Sequence, residues 1–175
     1  MDRLFTLLIF TLLLTPALGI AVADSANKPK IKALIVDGFS NHDWRKTTAF
    51  IQATLIDTEL FQVDVSTVPG EPGDPRWQTW SPQFSDYDVV IQNCNNINRK
   101  ELHWPQAVEQ ALEDYVRDGG GLLIFHSANN AFDHWSEYDR MIGLGWRTND
   151  QGTAIQLSSD GEIEMIPPGQ GDGTS

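Results

Sequence analysis

Gly121-Leu122-Leu123-Ile124-Phe125-His126-Ser127-Ala128-Asn129-Asn130 passes without a gap from small and apolar residues to a histidine, a serine and two asparagines. The first half has the unbroken apolar character of a strand buried in a parallel sheet, and it is predicted to be a central one. The second half puts polar side chains just beyond that strand's carboxyl end, where open α/β sheets bind their ligands. Upstream, Asp118-Gly119-Gly120-Gly121 follows an apolar stripe formed by Ala107, Val108, Ala111, Leu112, Tyr115 and Val116. The glycines therefore end a helix and lead into a strand, which is the reverse of a phosphate loop.

Working outward, Ile31 to Val36 is predicted as a buried first strand running into Asp37-Gly38. Asp43 then caps a helix over Trp44 to Asp57, with Thr48, Ile51 and Leu55 on one face. Phe61 to Val68 alternates apolar and polar residues, as a strand near an edge does, and Tyr87 to Ile91 reads as a third strand ending at Gln92-Asn93-Cys94-Asn95-Asn96. Pro105 suits the first turn of the next helix. A short helix is predicted over Ser136 to Ile142, then a small hairpin about Asp160-Gly161 between Thr153 to Leu157 and Ile163 to Ile166. This order defines an α/β fold, a three-layer and mostly parallel sheet. Right-handed crossovers bring the ends of strands one, three and four to one rim, so Asp37 to Asp43, Asn93 to Asn96 and His126 to Asn130 are expected to converge.

Composition narrows the function. With 24 acidic and 12 basic residues the net charge is -12, and no basic stripe breaks it, so nucleic acid is excluded as a partner. The amino terminus has an apolar run from Leu4 to Leu14, Pro16, and then Ala21-Val22-Ala23 before Asp24-Ser25, which is the pattern of a secretory signal peptide cleaved after Ala23. Residues 1–23 are therefore expected to be a leader, 24–30 a polar linker and 31–175 the domain. The mature protein is expected to be secreted or periplasmic, with no membrane insertion once the leader is removed. Cys94 is the only cysteine, which rules out an intrachain disulfide and a cysteine-built zinc cage.

His126 and His42 are the candidates for proton transfer, with Asp37 or Asp43 orienting them. His42, His126 and His134 with a nearby carboxylate also raise a divalent metal as an alternative, although their spacing matches no known cage and no cofactor is predicted. Ser127 stands near a nucleophile-elbow position, but Phe125 and Asn129 two places either side are too large for that strained turn. Cys94 reads as a small buried residue, with nothing cationic beside it to stabilise a thiolate. Six tryptophans are many for this length. Trp44 and Trp135, among Asn41, Asn93, Asn95, Ser127, Asn129 and Asn130, offer flat apolar faces between amides, a combination suited to a sugar. Trp44 serves equally as a core anchor. Arg147 is equally suited to hold a ligand oxygen or to pair with a surface acid.

Asn41-His42-Asp43-Trp44 with Thr47-Thr48, Gly119-Gly120-Gly121-Leu122 running into Phe125-His126-Ser127-Ala128-Asn129-Asn130-Ala131-Phe132, and Trp135 with Glu137-Tyr138 before Met141-Ile142-Gly143-Leu144-Gly145-Trp146-Arg147 form one pattern. From Ile31 onward it resembles the ThuA-like (trehalose utilisation) family, within the class I glutamine amidotransferase-like superfamily. The resemblance implies a flavodoxin-like sheet and a role in carbohydrate metabolism, acting on a sugar or keto-sugar derivative. It does not imply amidotransfer, because the superfamily's nucleophilic cysteine would fall at about His126 or Ser127, whereas Cys94 belongs to another strand. It also implies further histidine-containing segments after this point, so the domain is expected to be incomplete at its carboxyl end, with an exposed sheet edge. Two alternatives stand beside a sugar-processing domain: a non-catalytic binding module of a larger exported assembly, and a metal-assisted hydrolase.

Overall fold

The computed structural model describes residues 29–148 and 150–170. The predicted leader and all but the last two residues of the linker lie outside them. Four parallel strands, β1 (Ile31–Asp37), β2 (Phe61–Thr67), β3 (Val89–Gln92) and β4 (Gly121–Ile124), form one sheet in the order β2-β1-β3-β4. Helix α1 (Trp44–Asp57) joins β1 to β2, α2 (Gln106–Arg117) joins β3 to β4, and α3 (Ser136–Ile142) follows β4.

Strand β1 shows why the sheet is covered on both sides. Ala33 and Ile35 cluster with Ile51 of α1 and Ile91. Leu34 and Val36, pointing the other way, join Val90, Val108, Leu112, Tyr115 and Tyr138 on the α2 and α3 side. Side chains alternate across a strand, so the unbroken apolar run Ala33-Leu34-Ile35-Val36 needs a layer on each face. Each such aliphatic side chain, fully buried, stabilises the domain by roughly 1.5–3 kcal/mol relative to exposure.

The glycine run behaves as a helix stop. Gly119 N–H donates to Val116 O at 3.1 Å and Gly120 N–H to Tyr115 O at 2.9 Å, the paired bonds of a Schellman motif, with Gly119 at φ +95°. A Cβ at Gly120 would collide with the Tyr115 ring, which occupies the space a side chain would need.

Two expectations change. The third strand starts two residues late, at Val89, because Phe84–Asp86 forms a 3-10 turn and Tyr87 N–H closes it on Phe84 O. More consequentially, among the described strands β4 lies at the edge of the sheet and not at its centre. Its inner neighbour is β3, no described strand pairs with its other side, and Leu123 is 46% exposed. An apolar run reports that a strand is covered, but it does not say how many neighbours the strand has.

The hairpin forms as predicted, from β5 (Ala154–Leu157) and β6 (Ile163–Ile166), as a separate antiparallel pair. Ile155 faces Met165 and Leu157 faces Ile163 across it, and all four are exposed.

Candidate active site at the carboxyl ends of the strands

The loops after β1, β3 and β4 do converge, and Asn95 is what ties them. Buried to 2% exposure, it donates from Nδ2 to Asn41 Oδ1 at 3.0 Å and to Ser127 O at 2.8 Å, and accepts Ile97 N–H on Oδ1 at 2.8 Å. One amide thus fixes three loops with every bond satisfied, as a buried polar group requires. Asn96 continues the tie: its Nδ2 donates to Leu102 O at 3.0 Å and its Oδ1 accepts Phe132 N–H at 2.8 Å.

Over this tie stand His42 and His126, with ring centroids 4.8 Å apart and planes at 42°. Both are exposed. His126 opens the 3-10 turn His126–Asn130 directly after β4, at φ +46°. A left-handed conformation costs a residue with a Cβ about 1–3 kcal/mol, and such positions gather where a side chain must be presented at a set angle. The strained turn falls on His126, so Ser127 is not the residue at the elbow. Asn129 and Asn130 follow, half-buried, and neither side-chain amide bonds to a described residue.

Several candidates have their polar groups engaged by neighbours within the fold. Asp37 is 2% exposed, and its two carboxylate oxygens each accept a hydroxyl at 2.7 Å, from Thr48 and Thr67. Asn93 is 7% exposed and donates to Thr48 Oγ1 at 3.1 Å and to Trp44 O at 3.4 Å. Asp43 caps α1, accepting Lys46 N–H at 3.2 Å, and pairs with the Lys46 ammonium at 3.0 Å. The Lys46 ammonium, and after it the Lys46 backbone N–H, hold the Asp43 carboxyl below the usual range, so Asp43 is unsuited to deliver a proton near neutrality.

Trp135 belongs to the core, 5% exposed among Trp104, Phe132 and Tyr138, with Nε1 donating to Glu113 at 2.7 Å. Arg147 clamps the chain after β4 from behind, donating to Asn129 O at 2.8 Å and Ala131 O at 3.0 Å and pairing with Asp139. Trp44 remains at the rim, half-buried, with the Arg45 guanidinium 4.1 Å over its ring.

His134 does not join the other two histidines. It stacks on His103 at 3.6 Å, with Nε2 3.1 Å from Glu109 Oε1. Among the described residues no three His, Cys, Asp or Glu side chains converge as a metal site, and no helix is long and apolar enough to cross a membrane.

Cys94 is fully buried after β3, and burial pushes its thiol well above the ordinary value, with the charge of Asp37 adding to the effect. The native protein should therefore alkylate with iodoacetamide at least about a hundredfold more slowly than the unfolded chain, since only opened molecules expose a thiolate. Equal rates in native buffer and in urea would contradict the burial.

Parallel strands sandwiched by helices, with polar loops gathered at their carboxyl ends, define an α/β domain of the kind that binds small molecules at that rim. A family model described as trehalose utilisation (ThuA) matches residues 32–167, and the chain belongs to that family. Its structure is similar to the crystal structure of a ThuA-like protein from Parabacteroides merdae, at 30% identity and a TM-score of 0.68. The likeness covers 79% of this chain and 48% of the other, so the chain spans about half that protein's length. Among curated proteins, none matches. The family's description, trehalose utilisation, is carbohydrate-related at the level of the family.

Proposed function

We propose that this is an exported ThuA-like protein that binds a sugar or keto-sugar derivative at the rim of β1, β3 and β4, where His42 and His126 exchange a proton with a ligand hydroxyl or carbonyl. The observation that carries this reading is the imidazole pair, 4.8 Å apart on a platform built by Asn95, with one member in a left-handed turn. Imidazole is the side chain best suited to accept and return a proton near neutral pH. Asn129 and Asn130 offer amides for hydroxyls, and Trp44 offers a flat face. The trehalose-utilisation family supplies the ligand class. Export belongs to the same proposal and rests on the Leu4 to Ala23 sequence pattern.

The test is thermal unfolding against a panel of sugars and keto-sugars. A ligand present at a hundred times its dissociation constant stabilises the native state by about 2.7 kcal/mol, which is roughly 5–10 °C for a domain of this size. No shift with any member of the panel would remove the sugar reading.

A non-catalytic binding module is the second reading. It is favoured by the commitment of both candidate orienting carboxylates, Asp37 to Thr48 and Thr67 and Asp43 to Lys46. Sugar binding that survives loss of either histidine, with no turnover of any keto-sugar, would select it.

A further inference from the structure

The turn that presents His126 is gripped through its main chain by side chains from other segments. Ser127 O accepts from Asn95 Nδ2 at 2.8 Å and Ala128 O from the Tyr138 hydroxyl at 2.8 Å. Asn129 O accepts from Arg147 Nη1 at 2.8 Å and Ala131 O from Arg147 Nη2 at 3.0 Å. Two of the three gripping residues, Tyr138 and Arg147, therefore come from α3 and the chain that follows it, downstream of the turn they hold.

Each of these two donors is itself fixed. Tyr138 is fully buried against Phe132 and Trp135, and burial pushes its phenol far above the ordinary value, so it remains a donor. The Arg147 side chain is only 10% exposed and pairs with Asp139. Its planar fork reaches two carbonyls at once, which the single ammonium of a lysine cannot do. Gly145 leaves room for that fork. A Cβ there would stand 3.1 Å from Asn129 O and 3.2 Å from the guanidinium carbon and Nη1, closer than ordinary contact.

The grip falls on a strained residue. His126 opens the turn at φ +46°, and a residue with a Cβ stays in that region only where its surroundings over-determine its backbone. Released, the backbone at 126 would relax to negative φ and carry the imidazole away from the His42 ring, now 4.8 Å off between centroids.

We infer that Tyr138 and Arg147 are positioning residues of the rim, which through Ala128 O, Asn129 O and Ala131 O lock His126 in its left-handed conformation and so set its imidazole against that of His42. The purpose of this lock rests on the rim reading above, but the geometry it holds is measurable with no ligand present.

Proton NMR of the full chain is the test. A positive φ brings a residue's own amide and α protons close together, so His126 should give a strong intraresidue cross-peak, and the two imidazoles should give cross-peaks to each other. Arg147→Lys keeps a charge opposite Asp139 and loses the fork. Tyr138→Phe keeps the ring and loses the hydroxyl. Gly145→Ala removes no donor but presses on the fork, at a position whose backbone alanine can adopt. Each should weaken both sets of cross-peaks by at least about half and speed exchange of the Ala131 N–H about tenfold. Arg140→Lys, at an exposed arginine paired with Glu137, should leave them at full strength.

A purely structural role would lower the urea midpoint of these variants and leave the His126 signals unchanged. Folded variants with both sets of cross-peaks intact therefore overturn the assignment. Should Arg147→Lys fail to fold, Gly145→Ala and Tyr138→Phe decide the matter alone. Cross-peaks lost in the variants, with neither trehalose nor a keto-sugar bound by the unaltered protein, would keep the positioning role and remove the sugar reading. Trehalose bound equally by the unaltered protein and by Arg147→Lys, with cross-peaks intact in both, would do the reverse.

Discussion

Replacing His126 with alanine should cost at least tenfold in affinity for the rim ligand, and about 10²- to 10⁴-fold in any turnover the domain performs. The first figure is the loss of one ligand hydrogen bond, and the second is the range for a positioned acid or base. A companion variant separates the ring from the backbone that carries it. His126 sits at φ +46°, a conformation that glycine enters freely and alanine does not. His126→Gly should therefore be more stable than His126→Ala by about 1 kcal/mol, while losing the ligand just as completely. Urea unfolding and ligand titration of the two proteins give both numbers. If the two variants unfold alike, the left-handed turn is not held under strain. If either retains full affinity, the imidazole is not a ligand contact. His42→Ala, in a neighbouring loop with ordinary backbone, should share the affinity loss without the stability signature.

The rim is legible in the chain because it depends on topology, and topology follows from patterns that sequence carries directly. Apolar runs at Ile31, Val89 and Gly121 mark parallel strands, and parallel strands put their carboxyl ends together. Asn41, His42, Asn95, His126 and Ser127 are thereby placed side by side from the sequence alone. What a polar residue does once it arrives there is not legible in the same way. Asp37, Asn93, Asp43 and Arg147 have the chemistry of ligand contacts, yet each is occupied by a neighbour: Thr48 and Thr67, Thr48 and Trp44, Lys46, and the carbonyls of Asn129 and Ala131. The Asn93–Thr48 partnership alone spans 45 residues of sequence, and side-chain geometry decides it. Tyr138 escapes a sequence reading for the related reason that its hydroxyl meets a main-chain carbonyl, that of Ala128, and a carbonyl leaves no mark on residue type.

Asp37 offers the sharpest separation between building the site and serving it. Its carboxylate joins β1 to Thr67 of β2 and to Thr48 of α1, and Thr48 in turn accepts from Asn93 after β3. No described cation pairs with it, so its burial is sustained by these hydroxyls and not by charge. Asp37→Ala should destabilise the domain by about 2–4 kcal/mol, because the Thr48 hydroxyl loses its acceptor in a buried setting and a small cavity remains. Asp37→Asn should cost less than about 1 kcal/mol. The amide oxygen can still accept from Thr48, whose oxygen goes on accepting from Asn93, and the amide N–H₂ can donate to Thr67, whose exposed hydroxyl is free to turn. Chemical denaturation of the pair measures the difference. If Asp37→Asn and Asp37→Ala prove equally destabilising, the negative charge itself matters, and Asp37 acts on the rim electrostatically. If Asp37→Asn instead keeps both stability and ligand affinity, Asp37 is a tie between β1, β2 and α1, and the chemistry at the rim is left to the two imidazoles.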